Sequence, residues 1–357
     1  MDNYNSNEFM NEYKKASHGE AKISALKAAI QQADLEKDIR NQLKFRLDLV
    51  EESVFYGDTM DALVIFPQLI AMDEQNPGYV DPYDICWAFK WILTGAKEFP
   101  QISLNEIDSY FEEYKKSCKR YGYSLRSYYQ KIRFVYMDID EEKAKEANWK
   151  MQMSQRDYLS DCEACELDEQ AAYDLITGQV DKAFDEIKPI LNHELSCGEV
   201  PGRTYRMLMT YYCNQRHHKE SKKYFELLHQ LVFKRKAFGL TGEIVGDMLY
   251  YCSLYDLAQG IEIFQKVIKQ ELDNRNPYYK MMFAKGSRQF FLALQKEREF
   301  LNISLPQMPV EKTKDGYRVA ELAELYYNGY VEVAKRFDER NGNSYYMEQI
   351  RSGQTHE

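Results

Sequence analysis

The 357-residue sequence has only nine prolines and no stretch rich in proline or glycine, so nothing in it marks a linker between domains. It has no apolar run approaching the roughly 20 residues that span a bilayer, which argues against a membrane-embedded chain. The opening residues, MDNYNSNEF, lack the basic and apolar regions of a secretory signal. Seven cysteines, an odd number scattered through a chain of this size, argue against a disulfide framework and for free thiols in the cytoplasm. Positive charge is in deficit: 47 Lys and Arg face 57 Asp and Glu, a net −10, which argues against nucleic acid as a partner. The densest basic runs, Arg216–Lys223 and Lys234–Lys236, are short and fit solvated helix faces. No Gly-rich phosphate loop, GxSxG elbow, HExxH pair or EF-hand spacing occurs. The chain therefore shows no constellation that marks it as an enzyme.

What is present is helix. Hydrophobic residues make up 44%, with 29 tyrosines against 18 phenylalanines and 3 tryptophans. Tyrosine has a large apolar body and a polar tip, which suits contacts between helices that are only half buried. Apolar residues recur at three and four over Phe9–Ala33 and Leu35–Tyr56, predicting amphipathic helices. Gly57 then breaks the chain, and a partner helix follows over Asp58–Met72, with Pro67 expected to kink or restart it. Ile85–Thr94 is apolar nearly all round and predicts a central buried helix. Ser103 with Glu106 three residues on is a capping box. Tyr121–Asp138 with Glu141–Ser154, and then two hairpins within Asp161–Phe225, continue the series. After Pro277 the pattern loosens to one helix, a loop over Asn302–Asp315 and a long final helix from Gly316.

Superposing the hairpins aligns the small residues Ala144, Ala183, Ser221 and Gly260 at a period of 38–39, with Ala62 about two units earlier. Each hairpin has an apolar face that it cannot bury alone, so neighbours stack. The expected fold is all-α, an α-solenoid of stacked helical hairpins with no sheet. Its parts are an N-terminal region of divergent repeats (1–120), regular repeats (121–275) and a C-terminal helical cap (276–357).

Gly178 followed by Ala183 and then Pro189 resembles a tetratricopeptide repeat, although the period exceeds the 34 residues of that motif. The DCEAC segment from Asp161, the CGEVP stretch from Cys197 and the ending RFDERNGNSYY from Arg336 are similar to uncharacterised bacterial tetratricopeptide-repeat proteins. That resemblance implies a binding scaffold and brings no activity with it.

Two sets of residues are candidates for function. Cys162 and Cys165 form a CxxC and His193 and Cys197 an HxxxC, both ahead of the first helix of successive hairpins. Together they offer zinc four ligands; half-buried loop residues or a redox disulfide are the alternatives. The second set lies on the first helices of the repeats. Phe134, Tyr173, Tyr211 and Tyr250 recur at 38–39 as an aromatic ladder. Arg206, Thr210 and Asn214 form a polar stripe beside Tyr211, placed to meet a peptide backbone in a groove. The same ladder could equally be core packing. His217, His218 and His229 fit a solvated hairpin turn, and Asp138, Asp140, Glu141 and Glu142 fit a helix start.

The expected function is a cytoplasmic scaffold or adaptor that binds a protein or peptide, with no catalytic role. The alternative is a peptide-sensing regulator whose N-terminal module acts on a partner while the repeats hold the peptide.

Overall fold

A computed structural model describes residues 6–235 and 241–352. The polar residues ahead of Ser6, and Lys236 of the second basic run, lie outside the described residues. Packing divides the chain into two compact units, Met1–Ser160 with Asp338–Tyr345, and Asp161–Phe337 with Tyr346–Glu357. The three-part division at 120 and 275 follows the regularity of the repeats and is a different one. No helix of the described residues is long and apolar enough to cross a membrane.

The first unit begins with α1 (Ser6–Lys15), α2 (Glu20–Glu36), α3 (Ile39–Tyr56) and α4 (Thr59–Gln75). It continues with α5 (Pro82–Glu98), α6 (Leu104–Tyr121), α7 (Arg126–Tyr136) and α8 (Glu141–Met153). Side-chain caps set most of the starts. Asp38, Asp58, Asp81 and Asp140 each accept a backbone N–H of the first turn, and Ser103 with Glu106 closes the capping box read from the sequence. The single helix expected over 9–33 is in fact two. Gly19 sits at φ +93, and the buried Glu52 carboxylate takes its N–H at 2.7 Å and the Lys22 ammonium at 2.9 Å, pinning the turn. Pro67 does not restart α4, which runs through it with Phe66, Leu69 and Ile70 buried. The central α5 buries Ile85, Phe89, Ile92 and Leu93, as its all-round apolar pattern predicts.

The second unit holds α9 (Glu163–Ile176), α10 (Val180–Glu186), the short α11 (Lys188–Leu191), α12 (Gly202–Asn214) and α13 (His218–His229). A π-helical turn over Gln230–Arg235 follows α13; α14 (Gly242–Tyr255), α15 (Leu257–Asp273) and α16 (Pro277–Glu297) complete the series. Then come β1 (Phe300–Leu301), β2 (Lys312–Thr313), β3 (Gly316–Arg318), α17 (Val319–Asn341) and α18 (Tyr345–Ser352). Residues of α17 to Phe337 and of α18 from Tyr346 belong to this unit.

Helices pack as sequence neighbours, α3 on α4, α5 on α6 and α7 on α8 in the first unit, and α9 on α10, α12 on α13 and α14 on α15 in the second. First helices also touch in succession: α3, α5 and α7, then α9, α12, α14 and α16. The small residues at the 38–39 period occupy the second helices, and Ala62, Ala144, Ala183, Ser221 and Gly260 are all buried. At Gly260 a Cβ would meet the Phe290 ring at 2.2 Å, so this position has no room for a larger residue.

The expectation of no sheet is corrected. Three short antiparallel strands in the order β1-β3-β2 occupy a segment read as the end of one helix, a loop and the start of another. Gly316, at φ +119, places its backbone where a Cβ would lie 2.5 Å from the Leu301 carbonyl oxygen. Only glycine allows that approach, and strands of two or three residues are too short to show an alternating pattern.

Candidate functional site

The first helices of the second unit carry a chain of charged side chains that alternates in sign. On α9, Asp168 and Glu169 face Arg203 of α12 at 3.2 and 3.5 Å, and Asp168 also accepts the Thr204 hydroxyl at 2.6 Å. One turn on, Arg206 contacts Glu243 of α14 through Nη1 and lies 3.6 Å from Asp247. Lys285 of α16 faces Asp247 and Glu243 in turn and donates to Gln349 at 2.6 Å.

These groups respond unequally to their surroundings. Burial opposes the charge on Arg206, but Glu243 and Asp247 more than offset it and hold the guanidinium above its ordinary pKa. Burial likewise opposes ionisation of Glu243, whose carboxylate Arg206 and the Tyr278 hydroxyl (3.1 Å) stabilise below the usual range. Asp247 has the longer contact with the shared Arg206, so burial dominates and its carboxyl is pushed up to about 6. Burial lowers Lys285. Even so, the Arg206, Glu243 and Asp247 side chains keep 25%, 25% and 22% of their exposure. They are desolvated without being sealed from solvent.

Several expected site residues change character here. Arg206 is not a free groove residue; it neutralises two carboxylates of the next hairpin. Thr210 lies beside Asp247, with its hydroxyl favouring that carboxylate. Tyr173 is buried, and Tyr211 packs edge-on against Phe184 of α10 at 5.5 Å between ring centres. Tyr250 donates to Asn214 Oδ1 at 3.0 Å, joining α14 to α12, and Asn214 is exposed. Tyr211 and Tyr250 are thus engaged in contacts between hairpins, while Asn214, Arg206, Glu243 and Asp247 reach solvent beside them and Asp168 and Glu169 are buried. The motifs and aromatic ladder of the sequence do not single out Asp168, Glu169, Arg203, Glu243, Asp247 and Lys285. Their signal was there: contacts such as Glu169–Arg203, Glu243–Tyr278 and Asn214–Tyr250 span 34, 35 and 36 residues, about one repeat.

The histidines are more engaged than a solvated turn implies. His218 stacks on Tyr255 at 4.3 Å, and the half-buried His229 lies against Phe225 and Phe233. Asp140 caps α8 as expected, whereas Asp138 is buried and pairs with Lys97 at 3.0 Å.

The cysteines fall into two kinds. Cys86, Cys118, Cys213 and Cys252 are buried in the helical core. Cys162, Cys165 and Cys197 form a triad whose sulfur atoms all lie within 4.8 Å of one another, the Cys165 and Cys197 sulfurs at 3.3 Å. Cys162 caps α9, its sulfur accepting the Cys165 N–H at 3.4 Å. Cys197 is held by a tight turn in which its N–H donates to the Val200 carbonyl at 3.0 Å. Burial and the adjacent thiols of Cys197 and Cys162 raise Cys165 well above its ordinary pKa. His193, expected as a fourth member, is not part of this group. It sits in the left-handed region at φ 61 and ends α11, its N–H donating to the Ile190 carbonyl at 3.1 Å.

No family model matches the chain, and no curated protein matches its sequence.

Proposed function

We propose that this protein binds an extended peptide, or an extended segment of a partner protein, along the first helices of its second unit. In this reading the hairpins form a tetratricopeptide-like solenoid stack and the protein is a cytoplasmic scaffold of bacterial type with no catalytic role. One observation carries the reading: Arg206, Glu243 and Asp247 are charged, desolvated and still about a quarter exposed, on helices that touch in succession. Such groups hold unspent hydrogen-bonding capacity that a peptide backbone or charged side chain satisfies. The alternation of sign favours ligands that carry both charges over a uniformly acidic or basic one. Seven cysteines, an odd number scattered through the chain, favour a reducing compartment.

Display selection of peptides on the full chain, followed by calorimetric titration of the selected sequences, tests this. Asn214→Ala and Asp247→Asn should each weaken binding about tenfold, equal to ~1.4 kcal/mol, with little change in thermal midpoint. Failure to select any saturable peptide, or unchanged affinity in both variants, rejects the reading.

The division into two compact units supports a second reading, a regulator in which the first unit acts on a partner and the second senses a peptide. There, a protein captured through residues 1–160 is released or recruited when the selected peptide is added. Capture that ignores the peptide leaves the scaffold.

A further inference from the structure

We propose that Cys162, Cys165 and Cys197 form a three-thiolate site for a soft d10 cation of the zinc and cadmium class, with a fourth coordination position left to solvent. The site is independent of peptide binding. It is assembled by the fold: Cys197, 32 residues after Cys165, is brought by its own turn to the N-terminus of α9.

Geometry comes first. A tetrahedral metal with bonds of about 2.3 Å to sulfur holds its sulfurs ~3.8 Å apart. Here one pair stands at 3.3 Å and all three within 4.8 Å, so small side-chain rotations complete the arrangement with the backbone in place. Donor chemistry comes second. The group is all sulfur, with neither imidazole nor carboxylate within it, and thiolate-only sets select soft ions over magnesium, calcium or manganese. Access comes third: Cys162 is exposed, and Cys165 and Cys197 are half buried, so the ion can enter and one position stays open to water. Each metal–sulfur bond replaces an S–H bond, and three protons leave to solvent as one divalent ion binds. The positive end of α9 lies against the resulting anionic centre and favours it. A simple disulfide uses two of these thiols and leaves the convergence of the third without a role.

The test titrates Cd2+ into the reduced, chelator-treated full chain and follows the ultraviolet thiolate-to-cadmium band. One ion per chain with three thiolates' worth of absorbance is expected, with Zn2+ competing for the same site. Cys162→Ser keeps a hydroxyl at the helix cap, where serine is favoured, so the fold survives while one ligand is lost. It should cut the band by about a third and weaken binding about tenfold or more. Cys197→Ser should do the same. A band that does not saturate at one ion, or one unchanged in Cys162→Ser, overturns the proposal. So does a metal-free protein that fails to take up Cd2+ and instead closes Cys165 and Cys197 quantitatively under mild oxidation.

Discussion

Gly286 and Gly246 meet backbone to backbone: a Cβ placed on Gly286 would lie 2.0 Å from the Gly246 carbonyl oxygen. The same closeness recurs along this contact, since a Cβ on Gly246 would stand 2.3 Å from the Met282 carbonyl oxygen and one on Gly242 2.2 Å from that of Tyr279. Helices α14 and α16 thus touch along their main chains, which is how Asp247 of one comes to face Lys285 of the other.

Helix propensity alone favours alanine over glycine by about 1 kcal/mol at such positions. Overpacking against backbone, which cannot rotate away, costs roughly 1–3 kcal/mol or more. Gly246→Ala should therefore destabilise the protein by about 2 kcal/mol net in urea unfolding. Gly329 of α17, exposed and with nothing near its absent Cβ, supplies the contrast. Gly329→Ala should stabilise by up to about 1 kcal/mol. Two substitutions of the same kind with the same sign would contradict the close approach.

Arg206 gives a prediction opposite to the one its sequence position suggests. As an isolated surface residue it would be replaced at a cost below ~0.5 kcal/mol. Paired with Glu243 and Asp247, its removal leaves two partly buried carboxylates side by side. Breaking a fully buried pair costs about 3–5 kcal/mol, and the quarter exposure here lowers that to about 2. Arg206→Ala should lose that much stability, and Arg206→Ala combined with Glu243→Gln should recover part of it. Unchanged stability in the single variant would rule out the pairing.

What could be read from the sequence was what repeats locally. Ala144, Ala183, Ser221 and Gly260 could be aligned by spacing because each packs in an equivalent hairpin, and the Ser103–Glu106 box spans a single turn. The Arg206 pairing could not be read so directly. It depends on which face of α14 meets α12, and Glu243 lies on another helix a repeat away. Of the four candidate ligands the sequence offers, two are neighbours in a CxxC, and Cys197 joins them through the turn at Val200. Spacing alone groups His193 with them, and its left-handed backbone at the end of α11 places it elsewhere. The small sheet depends on one glycine conformation, which composition does not reveal.

Glu271 of α15 is 4% exposed, and its carboxyl is pushed by burial from an ordinary 4.5 up to about 7, only partly offset by Asn274 at 3.4 Å. The folded chain therefore keeps a proton that the unfolded chain releases in that interval. Where the native state binds more protons, stability falls as pH rises. This carboxyl's contribution is most favourable below about 4.5 and is lost by about 7, a change on the order of 3 kcal/mol. Glu271→Gln should raise stability at pH 8 and flatten the decline between pH 5 and 7. Some slope remains from Asp247, which titrates near 6 in the fold. A Glu271→Gln protein as pH-sensitive as the parent, and no more stable at pH 8, would refute the assignment.

Arg340 closes the first unit from far along the sequence. Its Nη1 reaches the carbonyl oxygens of Lys97 at 2.9 Å, Phe99 at 3.2 Å and Ala96 at 3.4 Å, where α5 ends. The last carbonyls of a helix have no partners within it, and a cation there also complements the helix dipole. Asn343 adds a bond from its side-chain amide to the Asp138 carbonyl at 2.9 Å, so residues 338–345 are an integral part of this unit. Hydrogen bonds to a charged group contribute roughly 1.5–3 kcal/mol, so Arg340→Ala should cost about 2 kcal/mol. Arg340→Lys should recover only part of that, since an ammonium keeps the charge but drops the second donor, the Nε–H that bonds Asn341 Oδ1 at 2.8 Å. Hydrogen exchange locates the effect. Amides at the end of α5 and in the turn leading to Ser103 should lose protection in Arg340→Ala, while those of α12 and α14 keep theirs. Equal loss in both units would mean that Arg340 acts through global stability, and no loss near Phe99 would mean that it does not hold the α5 terminus.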